Sequence, residues 1–391
     1  MMQLLEVNTP ETEALFIKVA VLMYKNDPNW IRPLDKDIQE VFNPTKNKAF
    51  RFGTSIRWIL LDNQHQIIGR IAAFENQKYK NKGDDCAVGG IGFFECINDF
   101  NAAKILLDGA KQWLQEKGME AMDGPINFGE RDRWWGMVTS GFEEPLYCMN
   151  YNPPYYVALF EQYGFKPFFH QICFGLDPHR PLTAKIHERH KAFKNNPDFS
   201  ATHYEKKQIT KFASDFVTVY NKAWAGHGGL KELSKEQAIN IFKSMTPVMD
   251  ERIIWFAYHK EEPVAIFVNL PDLNQWFKYL NGKFSLFHKL KFLLVKQFVS
   301  NPKCNGLVFG VVPEWQGKGV DAYMIGEAAT RFFQTPRSPY KKYEMQWIGD
   351  FNPKMINVAE NLGETHRSRN LTTFRHLFDP NKPFQRHPML A

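Results

Sequence analysis

A glycine-containing run near the C-terminus carries residue types suited to binding phosphate. The apolar residues 307–312 predict a buried strand and residues 321–333 have helical spacing, so residues 316–320 must connect the two. Because Gly317 and Gly319 have no Cβ, the backbone there can approach a ligand, and N–H groups at the start of a helix attract an anion. The run predicts a loop that binds a diphosphate, with an ordinary strand-to-helix connection as the alternative.

A second pattern follows this loop. Residues 343–348 alternate in polarity like a strand, and Asn352 precedes a helical stretch over 354–362 that Gly363 ends. A last strand fits residues 372–378. The order is therefore strand, asparagine, short helix, glycine and strand.

Together these patterns resemble motifs A and B of the GCN5-related N-acyltransferases, the GNAT superfamily. Motif A has the pattern Gln/Arg-x-x-Gly-x-Gly/Ala, which residues 316–321 follow except that Asp321 stands where the family has Gly or Ala. The resemblance implies an α/β fold with a mixed sheet. It also implies that two strands splay apart and that the pantetheine arm of an acyl-CoA lies between them.

The resemblance also implies which residues bind acetyl-CoA or a longer acyl-CoA. A backbone N–H near Val311 or Val312 would bind the thioester oxygen, residues 317–320 would hold the diphosphate, and Asn352 would touch the pantetheine arm. The implied binding residues are Val311, Val312, Gln316, Gly317, Lys318, Gly319, Val320 and Asn352.

The proton-transfer groups are less clearly marked. The family's tyrosine that protonates the leaving thiolate is replaced by Ala359, so Tyr323, solvent or a loss of catalysis are the alternatives. His227 is a candidate base because it titrates near neutrality in a glycine-rich loop, although most exposed loop histidines have no function. Asp272 and Glu236 are further candidates, with turn formation or helix capping as the alternative for both.

The chain contains an internal repeat. An Asn-Pro pair, a helical stretch and a glycine occur in residues 152–164 and again in residues 352–363. A length of 391 residues also favours two cores over one. We therefore expect two tandem GNAT-like domains, over residues 1–178 and 200–391, joined by a linker over 179–199.

The first domain is predicted to lack the cofactor loop. Residues 94–102 contain no glycine and carry Glu95 and Asp99, carboxylates that would repel phosphate. Asn98 or Asp99 is better interpreted as an ordinary cap of a helix predicted over 102–117. The first domain is thus a degenerate copy that shapes the acceptor site. On the linker, His187, Arg189 and His190 predict a solvated basic face.

Composition narrows the class of protein. The 44% hydrophobic and 23% charged residues are typical of a globular chain, and no run approaches the roughly 18 apolar residues of a membrane span. The lysines behind the net charge of +7 are spread along the chain, which argues against a nucleic-acid groove. The five cysteines lack C-x-x-C spacing, so we expect neither disulfides nor a metal site, and a cytoplasmic location.

The tandem arrangement is similar to a bacterial family of two-domain GNAT-like proteins, some of which are implicated in N-acylating long-chain lipid amines. The strings that carry this resemblance are residues 27–33, 69–73, 124–127, 150–156 and 270–274. One inserted segment concerns contact with lipid, and this point does not depend on the family resemblance. Residues 284–298 form an apolar helical stripe edged by lysines, which fits either peripheral contact with the inner membrane face or packing on the core.

These patterns predict an acyl-CoA-dependent N-acyltransferase. It would transfer an acetyl or longer acyl group from the CoA thioester to an amine acceptor. The more specific form of this prediction is that the acceptor is a lipid amine. The alternative is a catalytically inactive acyl-CoA or lipid-binding protein of the same fold. We expect a monomer whose two tandem domains are arranged like the subunits of a dimer. We expect it to bind neither nucleic acid nor metal.

Overall fold

The computed structural model describes residues 2–224 and 232–390, and within those ranges it contains thirteen β-strands and eleven α-helices. The strands are β1 Gln3–Glu6, β2 Gly53–Leu61, β3 Ile67–Asn76, β4 Val88–Cys96, β5 Ala121–Gly124, β6 Met137–Ser140, β7 Lys166–Leu176, β8 Phe199–His203, β9 Ile254–His259, β10 Glu262–Pro271, β11 Lys303–Val311, β12 Lys342–Gly349 and β13 His366–Leu377. The helices are α1 Pro10–Met23, α2 Asp35–Val41, α3 Phe100–Glu116, α4 Tyr156–Tyr163, α5 Ala184–Lys194, α6 Ile209–Trp224, α7 Lys235–Met245, α8 Asn274–Phe277, α9 Leu286–Phe298, α10 Val320–Ala328 and α11 Pro353–Glu360.

One mixed sheet runs through both halves of the chain. Its strand order is β1-β2-β3-β4-β5-β13-β7-β12-β11-β10-β9-β8, and β6 pairs with β13 beside this path. From one end the order of a half is β1 to β5 and then β13, and from the other end it is β8 to β12 and then β7. The two halves therefore have the same plan, and the internal repeat predicted from the sequence is confirmed.

The two halves exchange their last strands. β13 lies between β5 and β7, with Phe374 opposite Gly124, whereas β7 lies between β13 and β12, with Leu176 opposite Tyr343. All three contacts are antiparallel. The predicted limits of 1–178 and 200–391 describe the order of elements along the chain and stay a prediction, because the sheet joins the halves across them.

In each half the helix that follows the fourth strand packs against its part of the sheet. In α3 the buried residues recur every three or four positions, so one face of the helix is apolar and covers the strands. The Asp99 carboxylate accepts a hydrogen bond from the backbone N–H of Asn101 at 2.8 Å, which confirms it as a helix cap. In the second half α10 has the same place, and a π-helical turn, Ala329–Phe333, continues it.

A buried ionic cluster joins the halves near the start of β11. The Lys303 ammonium lies 2.8 Å from the Glu344 carboxylate, and the Arg369 guanidinium lies 3.4 Å from the same group. All three side chains are buried. Arg369 also donates to the backbone carbonyl oxygen of Glu144 at 2.9 Å, so the cluster ties β11, β12 and β13 to the first half.

None of the helices within residues 2–224 and 232–390 has the length and apolar character needed to cross a bilayer.

Candidate functional site

A gap opens in the sheet between β11 and β12. These parallel strands pair only from Lys303 opposite Lys342 to Gly306 opposite Met345. β11 continues to Val311 and β12 to Gly349 without pairing to each other. The two strands therefore splay apart beyond Gly306, as the sequence resemblance implied.

A cleft of about 600 Å³ occupies this gap. Its floor is formed by both splayed strands, including Leu307, Phe309 and Trp347. Further walls come from α6, from α10 with its π-helical turn, from α11 and from the chain that precedes α5. Most of the lining side chains are apolar, so the cleft suits a hydrocarbon chain better than a polar ligand.

A β-bulge at Leu307 marks the point where the strands part. Asn269 of β10 lies opposite Gly306, but Val268 lies opposite Val308, so Leu307 is the extra residue. The sequence offered only a weak signal for this bulge, which is the glycine beside an apolar run. Its effect is to bend β11 away from β12 and to open the cleft.

The open edge of β11 presents backbone N–H groups to the cleft. The N–H of Val312 donates to the carbonyl oxygen of Val264 at 3.0 Å, so it faces β10 and is already engaged. Because N–H groups alternate in direction along a strand, those of Val311 and Phe309 face the side of β12. Of the two N–H groups predicted for the thioester oxygen, that of Val311 is the one that faces away from β10. Val311 itself lies beyond the lining of the cleft, whereas Phe309, a further donor on the same edge, lines it.

The predicted diphosphate loop follows β11. Gly317 and Gly319 have φ angles of +73° and +97°, and α10 begins at Val320. A Cβ added at Gly317 would meet no described atom within 4 Å, so this side of the loop is open. The Gln316 side-chain amide donates to the Val311 carbonyl oxygen at 3.0 Å and holds the loop against the strand.

Two cations flank the loop. The Lys318 ammonium lies 5.0 Å from the centroid of the Trp315 ring. Arg189 of α5 packs beside Gly319, where its side chain would be 3.4 Å from an added Cβ. The first turn of α10 leaves N–H groups without intrahelical partners, as every helix start does. The loop and these cations together form a surface suited to an anion.

The predicted solvated basic face of α5 is partly wrong. His190 is buried, and its Nε2 lies 2.8 Å from a carboxylate oxygen of Glu327 on α10. α5 packs on α10, which explains why His190 faces inward while Arg189 reaches the loop of residues 316–320.

α11 forms one wall of the cleft. Asn352 lines the cleft, and its side-chain oxygen accepts a hydrogen bond from the N–H of Met355 at 3.3 Å, capping α11. Ala359 is buried and also lines the cleft, at the position where the family has tyrosine. The small side chain at 359 therefore widens the cleft where a phenol would stand.

The predicted acid and base residues lie in separate places. Asp272 is 1% exposed and accepts hydrogen bonds from the N–H groups of Tyr147 and Asn274, outside the cleft. Burial raises the pKa of its carboxyl group, with Lys303 acting in the opposite direction. This environment is typical of a structural carboxylate, and a catalytic role for Asp272 stays a prediction.

Glu236 and Tyr323 are also away from the cleft lining. Glu236 lies in the exposed first turn of α7, where a backbone hydrogen bond and the Ser234 hydroxyl lower its pKa. Tyr323 is buried and its ring stacks on His190 at 5.9 Å, and burial followed by Glu327 raises its pKa. Their predicted catalytic roles are therefore not supported by proximity to the cleft.

His227 lies outside the described residues. The chain on either side of it is held beside the cleft, because Trp224 lines the cleft and Asn221 exchanges two hydrogen bonds with the backbone of Leu233. Trp224 sits on Gly310, where an added Cβ would overlap the indole ring. The role of His227 as a base stays a prediction.

Two tyrosines at the cleft were not anticipated from the sequence. Tyr220 of α6 and Tyr343 of β12 both line it. The Tyr343 hydroxyl donates to the Asn269 side-chain oxygen at 2.9 Å, and burial raises its pKa well above the usual value. Tyr343 is therefore protonated at neutral pH. Helical and strand spacing can show which face of an element a residue lies on. It could not show that α6 and β12 meet at one gap.

Two bacterial proteins are similar to this chain over most of their length. The bacterial ceramide synthase of Caulobacter vibrioides is 24% identical over 376 residues, which cover 93% of this chain and 95% of that protein. Protein YghO of Escherichia coli is 23% identical over 370 residues, which cover 89% and 88% respectively. No protein-family model matches the chain.

A solved structure shares the fold. The tandem GNAT protein from the clavulanic acid biosynthesis pathway matches 98% of this chain and 100% of its own length, with 11% identity and a TM-score of 0.52. The chain therefore has the tandem GNAT fold, which confirms the fold class predicted from the sequence.

Proposed function

We propose that this chain is an acyl-CoA-dependent N-acyltransferase that acylates an amine. The observation that carries the proposal is the cleft in the splayed gap between β11 and β12, with the glycine loop of residues 316–320 at the end of β11. A thioester in the gap would lie beside the unpaired edge of β11. The diphosphate of the same CoA would lie at the start of α10, where N–H groups and the helix dipole favour an anion.

The apolar lining favours a long acyl donor over acetyl-CoA. A two-carbon acyl group needs little of a cleft of about 600 Å³, whereas an alkyl chain would cover side chains such as Phe267, Phe333 and Met355. Burying that surface stabilises binding by about 25 cal/mol per Å². The similarity to a protein named bacterial ceramide synthase supports a lipid amine as the acceptor.

The proposed reaction is a direct transfer. The neutral amine nitrogen attacks the thioester carbonyl carbon, a C–N bond forms, and the C–S bond breaks to release the CoA thiolate. The ammonium form must first lose one proton to become the nucleophile. After attack the nitrogen gives up a second proton, and the departing thiolate takes one up to form the CoA thiol. The N–H groups of Phe309 and Val311 would stabilise the oxyanion, and holding both reactants in the gap supplies most of the rate gain.

A second candidate function is ligand binding without turnover. It is favoured by Ala359, which stands where the family has its proton donor, and by the distance of Tyr323 from the cleft lining. Tyr343 would be the replacement donor in the enzyme account, because its phenol lines the cleft and carries a proton at neutral pH.

Thermal unfolding with acetyl-CoA and with palmitoyl-CoA tests the donor. We expect palmitoyl-CoA to raise the unfolding temperature more than acetyl-CoA at equal concentration. Release of free thiol is then measured with sphingoid bases, lyso-lipids, polyamines and amino acids as acceptors. Thiol release with one class establishes transfer, whereas stabilisation without release across the panel supports the binding protein. If neither acyl-CoA stabilises the chain, both accounts fail.

A further inference from the structure

The helix α9 carries an apolar face that is exposed among residues 2–224 and 232–390. Six large apolar side chains on it are between 55% and 80% exposed. They are Leu286, Phe287, Leu290, Leu293, Leu294 and Phe298. Core packing of this stripe, one of the two alternatives drawn from the sequence, is therefore wrong for these residues.

The opposite face of α9 anchors the helix to the protein. Phe292 is 4% exposed and packs with Trp276 and Phe277 in a separate apolar cluster. The ammonium groups of Lys291 and Lys296 donate to the carbonyl oxygens of Tyr279 and Pro247, at 2.6 and 2.5 Å. The helix is thus fixed in orientation, and its exposed stripe is presented outward rather than folded back.

The charges within the segment that carries the stripe have one sign. Residues 273–313 contain six lysines and no Asp or Glu. Two of the six are engaged away from the stripe, because Lys278 pairs with Glu144 and Lys303 pairs with Glu344. Of the other four, Lys291 and Lys296 are the two that hold α9 to the protein, and Lys283 and Lys289 lie just before and within the helix.

We infer that α9 docks this protein on an anionic phospholipid surface. Exposed Leu and Phe side chains would enter the acyl region while lysines meet the headgroup charges, as in interfacial amphipathic helices. Each lysine near such a surface adds attraction that salt weakens. This inference goes beyond the transfer reaction and does not depend on it.

The docked orientation would serve a membrane-resident acceptor. α9 ends at Phe298 and β11 begins at Lys303, so the helix is directly followed by the strand whose residues 306–309 line the cleft. Docking through α9 would bring the protein, and its cleft with it, to the surface in which a lipid amine resides. The protein would meet such a substrate without extracting it into water.

Vesicle co-sedimentation of the full chain tests the docking. One set of vesicles is phosphatidylcholine alone, and a second set also contains phosphatidylglycerol. We expect binding to the anionic vesicles to be at least about tenfold tighter, and to weaken as salt is raised. The double variant Leu290→Glu with Phe298→Glu should lose at least about tenfold in binding, because two apolar anchors are removed.

Two further variants separate apolar and charge contributions. Leu22→Glu places the same change on another exposed leucine, which lies in α1 and is 43% exposed, and it should leave vesicle binding unchanged. Lys289→Glu should reduce binding to anionic vesicles only. The thermal unfolding of every variant shows whether it is folded.

Two results would overturn the inference. The first is equal sedimentation of the wild type and the Leu290→Glu, Phe298→Glu variant with anionic vesicles, both proteins being folded. The second is a concentration-dependent dimer in analytical ultracentrifugation that this variant abolishes, together with no vesicle binding, because the stripe would then contact a second copy of the chain. Thiol release from acyl-CoA with a water-soluble amine measures the proposed reaction separately, so docking can fail while transfer survives.

Discussion

Replacement of Gly317 by glutamate tests the diphosphate loop directly. The φ angle of +73° makes any side chain at this position strained by about 1–2 kcal/mol. The space around an added Cβ is open, so glutamate fits without a clash. The new feature of the variant is a carboxylate at the proposed phosphate position.

The size of the expected loss in CoA affinity follows from the repulsion between the new carboxylate and the phosphate. A carboxylate about 5 Å from one phosphate charge, at an effective dielectric constant of about 20 near a protein surface, costs about 3 kcal/mol. Because each 1.4 kcal/mol is a factor of ten, Gly317→Glu should weaken CoA binding by about two orders of magnitude. Gly317→Ala carries the strain without the charge and should weaken binding far less.

Isothermal titration with coenzyme A measures the effect without turnover. Gly118→Glu is the matched control. Gly118 has a φ angle of +78°, an added Cβ there would also meet no described atom within 4 Å, and it follows α3 in the first half. This control should lose similar stability and bind CoA like the wild type. A Gly317→Glu variant that binds CoA as tightly as Gly118→Glu would refute the diphosphate loop.

Two further predictions concern the cleft and the ionic cluster. Val358→Trp narrows the cleft, so affinity for palmitoyl-CoA should fall at least about tenfold while acetyl-CoA affinity changes little, as measured by titration calorimetry. Burial raises the pKa of the Glu344 carboxyl group, but the charges of Lys303 and Arg369 lower it by a larger amount. Its pKa is therefore below the usual value. The folded state then gains stability from this carboxylate above about pH 4.3 and loses it as pH falls through the lowered pKa. Glu344→Gln should therefore lower the free energy of unfolding by about 3–5 kcal/mol at pH 7, and by less in acid, as measured by urea unfolding at several pH values.

Each of these changes has a control on the same chain. Asn357→Trp adds the same ring to the exposed side of α11 and should leave both affinities unchanged. Glu143 is exposed and lies 3.9 Å from Lys342, so Glu143→Gln should change stability by less than about 0.5 kcal/mol. Equal loss of acetyl- and palmitoyl-CoA binding in Val358→Trp would contradict the acyl-chain assignment. A pH-independent deficit in Glu344→Gln would contradict the linkage.

The loop and the splayed strands were predictable because their signals are local. A glycine at a positive φ, a strand before it and a helix after it leave a pattern within about thirty residues. The face of α10 that carries Tyr323 could not be predicted in the same way. This helix is apolar on all sides and buries most of its residues, so spacing alone cannot tell the cleft side from the side that packs on α5.

The buried position of Asp272 could not be predicted from the sequence either. A carboxylate after a strand can face a substrate or stay inside the protein, and the deciding contact comes from Tyr147, far away in the chain. The exposure of the α9 stripe was equally undecided, because the same spacing fits a core helix and an interfacial one. Both outcomes depend on which elements meet, and short sequence patterns do not contain that information.

The exchange of last strands is the largest feature that spacing could not supply, and it leads to a prediction about separated halves. In residues 200–391 alone, β13 would lose its three partners, β5, β6 and β7, and β12 would lose β7. Unpaired strand edges are costly when buried and prone to aggregation when exposed. We therefore expect residues 200–391 to be insoluble alone, and co-expression with residues 1–199 to restore a soluble complex that binds CoA. A folded 200–391 fragment that binds CoA by itself would contradict this expectation, because β13 would then have paired directly with β12.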